Sequence, residues 1–193
     1  MILEILSLRF IVRWPILLSV QDLYELTLQL ADRTKLNALS FPSGYQPRSY
    51  TQHDKGEILA LLNQCSFNFS SDRLDALLNM CIPGGVHLIE HTETRRLVSM
   101  MMSLHSSSKE FPFGGQIGWL ATDRDHRGLG LGRLSAATAT NHFLERGYNN
   151  IWVTTQPYRI PAIRIFNSLG FVPTKKSLNN YDWPGIVRTL NVG

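Results

Sequence analysis

Apolar positions along the chain change period several times between residues 45 and 173, and each change falls at a turn signal. Ile58, Leu59, Leu61 and Leu62 recur at helical spacing, as do Leu74, Leu77, Leu78 and Cys81. Thr51-x-x-Asp54 predicts a capping box at the start of the first helix, and Pro83-Gly84-Gly85 predicts the stop of the second. Val86–Glu90 and Leu97–Leu104 read as strands joined by the polar turn His91–Arg95. The run Met100–Met102 inside the second of these predicts buried packing, since methionine fills irregular gaps. A central strand is expected from Gln116 to Thr122, then a helix to about Arg146 stopped by Gly147. Asn150–Thr155 alternates in the strand manner, Pro161 suits the first position of another helix, and Phe171–Pro173 begins a last strand.

Upstream the pattern is less decisive. Phe10, Val12 and Trp14 alternate weakly with Arg9, Ile11 and Arg13, while Ser19-x-x-Asp22 predicts a helix with Val20, Leu23, Tyr24, Thr27 and Leu30 on one face. Phe41-Pro-Ser-Gly-Tyr45 is a turn-rich boundary before a strand expected at Gln46–Tyr50. The chain is therefore divided into an N-terminal extension, 1–44, and a domain, 45–193. The extension is compatible with packing on the domain, with association as a homodimer, or with a weakly anchored arm. Glu4, Arg9 and Arg13 interrupt its apolar stretch and Pro15 follows, short of the ~18 apolar residues a spanning helix needs. No small-residue cleavage site stands out, so neither a membrane anchor nor secretion is expected.

Composition narrows the class without deciding it. The 193 residues are 44% hydrophobic and 18% charged, which suits one globular core. The net charge of +4 favours an anionic partner, yet the basic residues are scattered and no lysine-rich run points to nucleic acid. Cys65 and Cys81 lack metal-ligand spacing, so two reduced thiols in a cytoplasmic protein, with no metal, are expected.

The candidate chemistry lies in Gln116–Gly132, which reads strand, charged loop, glycine-rich turn and helix start. Gly128, Gly130 and Gly132 permit positive φ and close approach of backbone N–H groups to an anion, and the following helix directs its unpaired N–H groups at the same place. A dinucleotide fingerprint fails, because its third glycine would fall on Arg133 or Ser135. A P-loop fails as well, since Gly132 is followed by Arg133-Leu134. What remains is R-x-x-G-x-G.

Arg127, Gly130 and Gly132 resemble the pyrophosphate loop, Q/R-x-x-G-x-G/A, of the GNAT superfamily of acyl-CoA-dependent N-acyltransferases. Ala162–Phe171 is similar to a second segment of that superfamily, A-I-x-x-Y-x-x-L-G-F, in the family's order. The resemblance covers roughly Tyr45–Pro173. It implies a mixed α/β fold, with a mostly antiparallel central sheet flanked by helices and splayed at a central-strand bulge. It further implies acetyl-CoA as acyl donor and a primary amine of a small molecule or peptide as acceptor. The backbone of Leu120, Ala121 and Thr122 would bond the pantetheine arm. Arg127 and the amides of Gly128, Leu129, Gly130, Leu131 and Gly132 would hold the pyrophosphate, with Phe166 beside the thioester.

The same resemblance exposes missing chemistry. A carboxylate at the start of the central strand and a tyrosine in the final helix are common in the family, and here those positions are Gln116 and Phe166. An asparagine three residues before the matched alanine is replaced by Arg159. Candidates for proton handling are Tyr158, His105, Glu110, Asp123 and His126, with Tyr158 foremost because it precedes the helix holding Phe166. The alternative is a catalytically silent acyl-CoA-binding module. Acceptor selectivity is expected to reside in the first two helices and in the Ser106–Gly115 loop.

Overall fold

The computed structural model describes residues 26–36 and 40–190. Seven strands form one sheet: β1 (Leu26–Leu30), β2 (Tyr45–Ser49), β3 (Cys81–His91), β4 (Leu97–His105), β5 (Gly114–Thr122), β6 (Asn150–Thr155) and β7 (Phe171–Pro173). Their order across the sheet is β2-β3-β4-β5-β6-β1-β7. Every pairing is antiparallel except that of β5 with β6. The helices are α1 (Lys55–Gln64), α2 (Ser71–Met80), α3 (Leu131–Leu144), α4 (Ile160–Ser168), α5 (Lys175–Asn180) and α6 (Trp183–Leu190). No helix among the described residues is long and apolar enough to cross a membrane.

The sheet is covered on both faces, which explains the apolar run in β4. Met100 and Met102 pack with Ile58 and Leu62 of α1 and Leu74 of α2. Met101 points the other way, into a cluster with Ala136 and Phe143 of α3 and Ile163 and Phe166 of α4. Strand side chains alternate between faces, so a strand covered on both sides reads as continuously apolar. The Thr51–Asp54 capping box forms as expected, and α1 follows it after a single 3-10 turn.

Two expectations are corrected. Residues 26–30 are a strand and not the end of a helix running from Val20; the alternative strand pattern in Phe10–Trp14 and the cap at Ser19–Asp22 lie outside the described residues. β1 sits inside the sheet, antiparallel to β6 on one side and β7 on the other, with Leu26, Leu28 and Leu30 buried. The described part of the 1–44 segment thus belongs to the core. Pairing both free edges satisfies backbone groups that a helix there would leave open on β6 and β7. Second, Pro83-Gly84-Gly85 does not end α2: Cys81 already begins β3, and the proline and glycines form an irregularity within that strand.

Candidate active site at the splayed strands

A single extra residue in β5 creates the site. Met100 pairs with Ala121 and Met102 with Gly118, so one residue of β4 faces two of β5, and Trp119 takes a φ of 58°. A bulge bends its strand and increases local twist. On the other side β5 pairs with β6 only from Gly114–Asn150 as far as Ile117–Val153. Beyond that point the parallel strands part, and Gly118–Thr122 has no strand partner on the side facing β6. The opening is a cleft of about 780 Å³ whose wall includes Gln116, Trp119, Leu120, Trp152, Tyr158 and Phe166.

The glycine turn closes one end of this region. Gly128 and Gly130 both have positive φ, 80° and 79°, and a Cβ at either would meet no atom within 4 Å. Gly130 is the N-cap of α3. The amides of the first turn therefore face open space, and the helix N-terminus favours an anion there. Leu129 is exposed between the glycines, whereas Leu131 is buried against Ile89 and Val98 and anchors the helix start. Gly132 has a different role, since a Cβ there would stand 3.2 Å from Ile165 and 3.4 Å from Thr122. Its lack of a side chain lets α3 pass close to α4 and to the end of β5.

Hydroxyl groups absent from the sequence expectations fix the turn against the strand. Ser99 Oγ lies 3.0 Å from Thr122 Oγ1 and 2.9 Å from Ser135 Oγ, and donates to Ala121 O at 3.2 Å. One buried serine thus joins β4, β5 and the first turn of α3. Arg127 turns back over the strand end: its Nε donates to Thr122 O at 3.2 Å, and Nη2 lies 3.8 Å from Cys65 Sγ. Of the three residues expected to offer backbone to a ligand, Leu120 lines the cleft, Ala121 is buried, and Thr122 already has its carbonyl engaged.

The proton-handling candidates are scattered, with one exception. Tyr158 is on the cleft wall and exposed. His105 is instead 2.8 Å from Tyr148 Oη through Nδ1, and His126 Nδ1 is 2.8 Å from Tyr45 Oη. Asp123 is buried, accepting from Asp125 N and facing Arg96 at 3.5 Å, so it shapes the loop before the turn. Glu110 is an exposed loop residue. No Asp, Glu or His belongs to the described cleft wall. Phe166 both lines the cleft and packs edge-on against Phe171, with ring centroids 5.3 Å apart. The Ser106–Gly115 loop reaches the site indirectly, through Phe111 stacked on Trp152 at 5.1 Å.

Cleft-wall residues that the motifs did not single out are Trp119, Trp152, Phe67 and Arg73. The signal for Trp119 was an aromatic residue directly after Gly118 in an otherwise aliphatic strand; the others come from distant elements brought together by the fold.

A sheet opened by a bulge, with a glycine turn and helix N-terminus at the opening, defines a cleft suited to an extended ligand that carries an anionic group. The family model for the acetyltransferase (GNAT) family matches residues 56–171, and the chain belongs to that family. Among solved structures, a GCN5-related N-acetyltransferase from Sphaerobacter thermophilus is similar, with a TM-score of 0.59 and 16% identity, over 78% of this chain and 48% of that one. This chain spans about half the length of that relative. A chain of the NatC complex, solved with Gag peptide and CoA, matches with a TM-score of 0.61 and 15% identity over 68% of this chain and 86% of that one. Glucosamine-6-phosphate N-acetyltransferase from Arabidopsis thaliana matches with a TM-score of 0.54 and 14% identity, over 68% and 93%. These are likenesses of fold. No curated protein matches the sequence.

Proposed function

We propose that the protein is a cytoplasmic N-acetyltransferase that moves an acetyl group from acetyl-CoA to a primary amine of a small molecule or peptide. The observation that carries this reading is the unpartnered side of β5 beyond the Ile117–Val153 pair, opening on the cleft beside Gly128–Gly132. A peptide-like pantetheine arm would satisfy that backbone, chiefly at Gly118–Leu120, because Thr122 O is occupied by Arg127. The amides from Gly128 to Gly132 would hold the pyrophosphate, each helix-end contact contributing about 0.3–1 kcal/mol. Arg127 would stand at that loop as a positive charge. Acetyl-CoA supplies an activated thioester carbonyl.

In the reaction the amine nitrogen forms a bond to the acetyl carbon, the carbon–sulfur bond breaks, and the amine gives up one proton while the departing thiolate gains one. The attacking amine must be neutral, although a typical alkylamine has a pKa of about 10. Arg73 and Arg159 are the charged side chains of the described cleft wall. With no carboxylate base among the described wall residues, the amine's proton would leave through ordered water. Tyr158, exposed on the cleft wall, would protonate the leaving thiolate, and water reaches it on the rim.

A second reading, a silent acyl-CoA-binding module, is favoured by one observation: the described wall offers no Asp, Glu or His. Incubation of acetyl-CoA with a panel of amines, following free thiol and acetylated product together, separates the two. Amine-dependent thiol release supports the transferase. Binding of acetyl-CoA without amine-dependent release supports the module.

A further inference from the structure

The described wall of the cleft carries two cations, Arg73 and Arg159, and no carboxylate. Arg73, at the start of α2, lies with its guanidinium carbon 4.5 Å from the centroid of Phe69. Arg159, just before α4, stands 5.0 Å over Phe67. Phe67 and Phe69 meet edge to face at 6.3 Å, and Phe69 meets Trp119 of the bulge in the same way at 6.3 Å. An aromatic row thus runs from the bulge outward and carries a guanidinium on each of two members. Neither arginine faces a carboxylate on the described wall of the cleft. Arg159 Nε and Trp152 Nε1 are buried without an acceptor and lie closed off from the cleft.

Two guanidinium ions with no carboxylate partner on one described cleft wall point to an anionic ligand. The rings pre-orient the guanidinium planes without neutralising them. We propose that the acceptor amine carries an anionic group, a carboxylate or a phosphate, which Arg73 and Arg159 hold so that the amine is presented toward the bulge. The anion also explains why no carboxylate of the protein lines the described wall: it would pair with the arginines and compete with the ligand. This inference rests on the transferase reading for the word acceptor, but not for the binding site itself.

The test therefore measures binding and turnover separately, using matched pairs. Phenylalanine is compared with phenylalaninamide for the carboxylate, and O-phosphoethanolamine with ethanolamine for the phosphate. Binding is followed by calorimetry with CoA present, where no transfer occurs, and turnover by thiol release from acetyl-CoA. The anionic member of at least one pair is expected to bind about tenfold to a hundredfold more tightly, as charge-assisted hydrogen bonds imply. Which pair responds identifies the anion. In Arg73→Gln and Arg159→Gln the preference for the anionic member should fall toward one, with part of it restored in Arg73→Lys. Equal binding within both pairs overturns the inference. So does an Arg159→Gln variant whose loss is in acetyl-CoA affinity alone, since Arg159 would then serve the cofactor. Anion-selective binding without turnover would uphold the anion site while refuting the transferase reading.

Discussion

Gly130 and His87 test the account at the level of single residues. Gly130 has a φ of 79° with open space around it, so an alanine there would suffer from backbone conformation and not from collision. The cost is about 1–2 kcal/mol. Its methyl would also enter the space proposed for the phosphate oxygens, so Gly130→Ala should lower both the melting temperature and the affinity for acetyl-CoA. Unchanged affinity in calorimetry would remove the phosphates from this turn. His87 is remote from the cleft, its Nε2 2.8 Å from Ser103 Oγ and its ring against that of His142. Burial pushes its pKa down from 6.5 to about 3, with His142 and Arg146 adding to the effect. The unfolded chain takes up a proton near pH 6.5 that the native state refuses until about pH 3. Stability from neutral His87 is thus complete above its unfolded pKa and is lost as pH falls through that window. The urea midpoint should drop between about pH 7.5 and about pH 5, and His87→Gln should flatten the drop. An equal slope in the variant would assign the effect to another group.

At the level of elements, β1 is the decisive piece, because it holds β6 and β7 together. Leu28 is fully buried in it, and Leu28→Ala should cost about 2–5 kcal/mol in chemical denaturation. Removing residues 1–40 should leave the protein insoluble or molten; a folded protein that still binds CoA would show β1 to be dispensable. This strand was misread from sequence for a physical reason. Thr27 and Leu30 continue a helical spacing from Leu23, while Leu26, Leu28 and Leu30 alternate, and five residues fit either period. Two open strand edges far along the chain settle the choice. The bulge was similarly invisible in composition: Ile117–Ala121 reads as a regular apolar strand, and the extra residue appears only in the register with Met100 and Met102. By contrast the glycine turn, α3, β6 and α4 were legible, because caps, glycines and Pro161 mark their ends locally. The pairing of Arg73 and Arg159 with the aromatic row was not, since four separate segments supply it.

At the level of the whole molecule, the two halves of the sheet are held in register by Gly114–Ile117 and are free of each other beyond it. Ligand binding in that gap adds contacts that only the native state can make, so acetyl-CoA should raise the melting temperature by mass action. The central claim is more specific: the open side of β5 and the turn before α3 are the cofactor's partners. Amide hydrogen exchange with and without acetyl-CoA tests it most directly, because N–H groups on the open side of β5 and in the first turn of α3 would gain a partner from the ligand. Slowed exchange concentrated in residues 118–120 and 128–133, with the distant β2 edge unchanged, is the predicted result. Protection elsewhere, or none at saturating acetyl-CoA, would contradict the account.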